Sequence, residues 1–115
     1  MERQGRGLPR WICGLDYATR ILGRRWVLLL IRDLSMGPKR FNQLRRLPLD
    51  IPPKSLSRSL EFLELNGIVK RKVLPDSPPA VSYELVEEDP LLQEIIQKLS
   101  IWGNKKRGKP AIGPG

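Results

Sequence analysis

The side chains on which most enzymes depend are scarce in this 115-residue chain. It has no histidine and one cysteine, Cys13. It lacks a G-x-x-x-x-G-K-[ST] phosphate loop, and its carboxylates do not cluster at metal-ligand spacing. That leaves little room for catalysis, and no catalytic residue, metal or cofactor is expected. The chemistry that remains belongs to cations and hydroxyls, and residues 52–60, PPKSLSRSL, concentrate it without a single acid. Lysine and arginine neutralise phosphate, arginine forks onto guanine, and serine hydroxyls bond to phosphates or base edges.

The charge around this segment is segregated. The net charge is +9. Residues 20–72 hold 13 cations against four acids, whereas residues 73–104 hold six acids against Lys98 alone. A patch of sequestered positive charge suits a polyanion, because each neutralised phosphate releases condensed counterions.

Periodicity supplies the scaffold. Trp11, Leu15, Ala18 and Leu22 recur at helical spacing until Gly23, and residues 25–34 (RWVLLLIRDL) are apolar almost all round, as in a helix buried on several sides. Phe41, Leu44 and Leu47 mark a short helix cut off by Pro48. Pro53 suits the first turn of the next, about 53–66, which carries Leu56, Leu60 and Leu63 on one face and stops at Asn66-Gly67. Residues 68–74 and 80–86 alternate as the strands of a hairpin, and Leu91, Leu92, Ile95, Ile96, Leu99 and Trp102 form a wide stripe on a last helix. The fold class is mostly α with a small β-hairpin: a winged helix-turn-helix with extra N- and C-terminal helices for dimerisation. One domain fits this length, over 10–104, with a flexible tail over 1–9 and a disordered basic tail over 105–115.

Within the proline-led helix, at about 100° per residue, Leu60 and Leu63 lie within about 40° of Leu56, while Lys54 and Arg58 fall near 160° and 200°. The two cations point away from the core, flanked by Ser55 and Ser57. That is the arrangement of a helix entering the DNA major groove by its N-terminal residues. Lys39 and Arg40, before the preceding helix, suit phosphate contact. Lys70, Arg71 and Lys72 alternate, so Arg71 opposes the other two and not all three can bind.

These residues carry a resemblance to the HxlR-type winged helix-turn-helix transcriptional regulators of bacteria and archaea. Cys13 precedes LGRRW (22–26), similar to I-G-G-K-W; GPKRFNQL (37–44) is similar to G-P-x-R-F-x-E-L. IPPKSLSRSLEFLELNGIVKR (51–71) is similar to I-S-x-K-x-L-x-x-x-L-x-x-L-x-x-x-G-L-V-x-R, and PPAVSYEL (78–85) to P-P-R-V-E-Y-x-L. The resemblance implies a homodimer on a roughly palindromic operator in double-stranded DNA. Arg40 would then touch backbone, and the Lys54–Arg58 segment would enter the groove. It also implies a small-molecule or redox effector, with Cys13 resembling the sensor cysteine of several members; the alternative is that Cys13 is a small buried hydrophobe at the dimer seam. Ala80 stands where the family has a wing arginine, leaving Lys72 to compensate, and Pro52 where a capping serine is common. Val86 and Asp89 replace a threonine and a glycine before the last helix.

The terminal helices are more apolar than the exterior of a small monomer, which favours burial against a partner through Trp11, Leu15, Leu92, Ile96 and Trp102. An RNA-binding or architectural winged helix is the alternative; it keeps the basic face and needs no dimer. The longest apolar run, 26–31, is far short of the roughly 20 residues of a spanning helix, so no membrane partner is expected. The expected location is the cytoplasm, in association with the nucleoid.

Overall fold

The computed structural model describes residues 10–46 and 50–108, and of 10–12 the backbone alone. The 1–9 tail, residues 109–115 and the Trp11 side chain therefore lie outside the described residues. Helix α1 spans Arg10–Leu22 and α2 spans Val27–Leu34; the two-residue strand β1 (Lys39–Arg40) leads into the short helix α3 (Phe41–Arg45). Helix α4 (Pro53–Leu65), strands β2 (Val69–Leu74) and β3 (Ala80–Leu85) and helix α5 (Pro90–Arg107) complete the chain. The expected order of helices and hairpin is the observed one.

Helix α2 is the central post. Val27, Leu30, Ile31 and Leu34 are all but inaccessible, as is Leu44 of α3, and Leu56, Leu60 and Leu63 of α4 join the same cluster with Ile51, Val69 and Ile96. Helix α4 starts at Pro53, whose missing N–H costs nothing in a first turn, and the Pro52 carbonyl accepts from the Leu56 amide at 2.9 Å. It stops in a Schellman motif: Ile68 N–H donates to Leu63 O and Gly67 N–H to Glu64 O, both at 3.0 Å. Gly67 takes φ +72°, which a residue with a Cβ adopts only under strain.

The hairpin acquires a third strand. The sheet order is β1-β3-β2, all antiparallel, with Lys39 opposite Tyr83 and Arg40 opposite Ser82. Two residues are too few to show alternation, so β1 leaves no trace in the sequence. On the other edge Lys70 faces Glu84, Arg71 faces Tyr83 and Lys72 faces Ser82.

Helix α5 runs to Arg107, three residues past the expected boundary at 104, so the start of the basic tail is helical. Lys105, Lys106 and Arg107 occupy its last turn, where cations offset the negative end of the helix dipole. At its other end Asp89, one of the departures from the family pattern, accepts from the Leu91 amide at 3.0 Å and caps the helix ahead of Pro90.

Leu30→Ala should cost about 2–5 kcal/mol, because the side chain is wholly enclosed and leaves a cavity. Leu65→Ala, at 81% exposure, should stay within about 0.5 kcal/mol. Urea unfolding of the two variants against the wild type checks both.

Candidate nucleic-acid interface

One-sided burial fixes what α4 shows to solvent. Leu56, Ser59, Leu60 and Leu63 face inward, which turns Lys54, Ser57, Arg58 and Glu61 outward, with Ser55 half-buried. Lys54 and Arg58 have no ion-pair partner among the described residues. Both lie in the first two turns, where the helix dipole adds positive potential. Phe62, half-buried on α4, packs against the core, and the Arg24 guanidinium lies 3.9 Å from its ring centre.

The other expected cations are engaged. Lys39 is half-buried and its ammonium donates to the Asp33 carbonyl at 3.2 Å, near the end of α2. Arg40 Nη2 lies 2.7 Å from Asp76 Oδ2 in the loop between β2 and β3, and its backbone N–H donates to Gln43 Oε1 at 2.8 Å. Glu84 takes Lys72 on one oxygen at 3.2 Å and Lys70 on the other at 3.5 Å. The Lys72 hydrogen bond above all, helped by the charges of both lysines, holds the Glu84 carboxyl below the usual carboxylate range against the opposing effect of burial.

Arg71, which alternation puts on the face opposite to Lys70 and Lys72, lies on α4's side of the sheet. It lines a groove of about 300 Å³ with Ser57, Glu61, Glu64 and Tyr83. Burial raises the pKa of the Tyr83 phenol above its ordinary value; the Arg71 charge opposes that rise and Glu64 adds to it. Alternation had separated Arg71 from its neighbours, but only the packing reveals which face α4 covers.

Of the expected dimer residues, Leu15 (60%) and Trp102 (61%) are exposed, and the exposed Tyr17, Leu91, Ile95, Leu99 and Ile101 extend the apolar surface of α1 and α5. Ile96 is buried in the protomer's own core and Leu92 packs against it, so these two seat α5 on the domain. Cys13 is exposed on α1. Among the described residues no group of His, Cys, Asp and Glu could hold a metal ion, and no helix is long and apolar enough to cross a membrane.

Two helices, the second showing cations from its first turns, followed directly by a twisted hairpin, define a winged helix-turn-helix protein. The chain belongs to the HxlR-like helix-turn-helix family, whose model matches residues 21–110. It is 38% identical over 91 residues to the HTH-type transcriptional regulator YodB of Bacillus subtilis strain 168, covering 79% of this chain and 81% of that protein. Among solved structures it is similar to the redox regulator HypR in its oxidized form, with a TM-score of 0.74 and 33% identity over 81% of this chain and 96% of that one. It is also similar to diamide-treated YodB, with a TM-score of 0.63 and 39% identity over 78% of this chain and 89% of that one. The protein is a DNA-binding transcriptional regulator.

The depressed pKa of Glu84 carries a pH dependence. Its ion pairs favour the folded state above the ordinary carboxylate range, and that contribution is lost as the pH falls through the folded value. Glu84→Gln should melt slightly below the wild type near neutrality, by a small margin because exposed pairs are screened, and the gap should close in acid. Melting curves of both proteins from about pH 7 to about pH 3 check the sign.

Proposed function

We propose that the protein is a sequence-specific repressor that acts in the cytoplasm as a homodimer on a roughly palindromic operator, reading it through α4. The observation that carries this is the outward face of α4, where Lys54, Ser57 and Arg58 are exposed at the helix's N-terminal half opposite a buried leucine stripe. Ser55 sits at the margin of that face. Arg40 and Lys72, once released from their acids, supply backbone contacts that fix register without reading sequence. Lys39, held on the Asp33 carbonyl, aligns the start of α3 instead.

The apolar surfaces of α1 and α5 support the dimer. Leu15 and Tyr17 on one helix and Ile95, Leu99 and Trp102 on the other are large side chains that a stable monomer would cover. A two-fold pairing through them presents two copies of α4 to half-sites about one helical turn of DNA apart, roughly 34–36 Å.

The exposed Cys13 favours a redox effector as a second element of the same function. HypR is a redox regulator, and YodB was solved after treatment with the thiol oxidant diamide. A thiol on α1, next to the surface assigned to the dimer, is placed to alter pairing of the two half-site readers when oxidised.

Binding of the purified protein to its own upstream DNA and to a scrambled duplex, across a salt series, tests the reading. Arg58→Ala should lose about 1–3 kcal/mol on the upstream DNA and little of the salt-driven binding common to both duplexes. Sedimentation should give a dimer. Equal affinity for the two duplexes, or a monomer, would favour the architectural alternative. Diamide should weaken wild-type binding and leave Cys13→Ser unaffected; identical behaviour of the two proteins would remove Cys13 from the mechanism.

A further inference from the structure

Three cations of the sheet, Arg40, Lys70 and Lys72, are held by two acids before any DNA arrives. Strand register sets Arg40, Ser82 and Lys72 in one row across the three strands, with Glu84 beside them, lining a groove of about 320 Å³ together with Gln43 and Leu74. Within this row Arg40 is bound to Asp76 at 2.7 Å, and Lys72 to Glu84 at 3.2 Å, with Lys70 on the second Glu84 oxygen. The side chains of Arg40 and Lys72 remain 53% and 56% exposed, so a phosphate can approach both. Helix α4 is different: neither Lys54 nor Arg58 has a carboxylate partner among the described residues.

We propose that Asp76 and Glu84 are built-in competitors with DNA phosphate for the cations of the wing, setting how tightly the protein holds any duplex. This rests on the DNA-binding reading above. Exposed ion pairs of this kind are weak and exchange readily, whereas arginine grips phosphate bidentately and its binding releases condensed counterions. Phosphate therefore wins the cation. The displaced carboxylate then lies within a few ångströms of that phosphate or recruits a cation from solution, and either outcome cancels part of the gain. Backbone contacts carry no sequence information, so muting them lowers the affinity for all DNA and leaves discrimination to α4.

The test uses the full-length dimer on the operator and scrambled duplexes, with Asp76→Asn, Glu84→Gln and their combination. Each single change should tighten binding to both duplexes about three- to tenfold near physiological salt. Each should also steepen the salt dependence, by up to about 0.9 in the logarithmic slope, because no displaced carboxylate then takes up a cation that offsets those released. Asp76→Ser, which breaks the same pair with a different side chain, should give the same gain. In an Arg40→Ala background Asp76→Asn should give a clearly smaller gain, because only the carboxylate's own repulsion of phosphate is left to remove. Unchanged or weaker binding by Asp76→Asn and Glu84→Gln, with melting temperatures within about 2 °C of the wild type, would overturn the inference and make the acids aiming devices for the cations. A wild type that binds neither duplex at low salt would overturn the DNA-binding reading itself and this inference with it.

Discussion

The burial of one leucine stripe governs everything α4 can do. Leu56, Leu60 and Leu63 are enclosed in a cluster built around Leu30 and Ile31 of α2, and a helix held along one side has only one rotation about its axis that keeps all three inside. Turning α4 by a single residue position, about 100°, would expose a leucine and bury a serine or a charge. At roughly 1.5–3 kcal/mol for each buried leucine, the three together far outweigh the weak preferences of exposed cations. The direction in which Lys54 and Arg58 point is thus a by-product of hydrophobic packing rather than of any interaction they make themselves. The cluster also takes in Leu44 of α3 and Ile96 of α5, so one core serves all four of these helices.

The sheet divides the remaining charge by a second constraint, the two-residue period of a strand. Arg71 is sent to the side of α4 and Tyr83, while Lys70 and Lys72 go to the side of Glu84. The result is a basic segment with two electrostatic characters. On α4 the cations Lys54 and Arg58 have no carboxylate partner among the described residues; on the sheet Arg40, Lys70 and Lys72 share two acids, Asp76 and Glu84, that belong to the otherwise acidic second half of the chain. The charge segregation seen along the sequence is therefore partly undone in space, because the antiparallel return of β3 and the loop before it bring Glu84 and Asp76 back onto the cations of residues 39–72.

Most of the fold was legible in the sequence, because its elements are set by local signals: the leucine spacing of α4, Pro53 at its start and Asn66-Gly67 at its end, the alternation of the hairpin. What was not legible depends on contacts between distant residues. Strand β1 exists only because β3 lies beside Lys39 and Arg40, and Arg40 meets Asp76 across 36 positions of chain. The α4 part of the site was legible for the same reason as the helix, since its exposed face is the complement of a local pattern. Neither the engagement of Lys39, Arg40 and Lys72 nor the placement of Arg71 could be read that way: alternation says which residues share a face, not what the face meets. The division of α5 was hidden too, since one continuous stripe contains both its inward and its outward residues.

That division has a physical consequence for assembly. Taking Ile96 as the inward mark at about 100° per residue, Leu92 lies about 40° away, whereas Leu99, Ile95 and Trp102 fan out through roughly 60–120° on the same side. Ile96 belongs to the core and Leu92 packs against it, while Ile95, Leu99 and Trp102 remain exposed. The same holds for α1, whose Leu22 joins the core while Leu15 and Tyr17 stand in solvent. Each terminal helix therefore has an inner edge that anchors it to the domain and an outer edge that stays exposed. Ile96 belongs to the same buried cluster as the leucine stripe that aims α4.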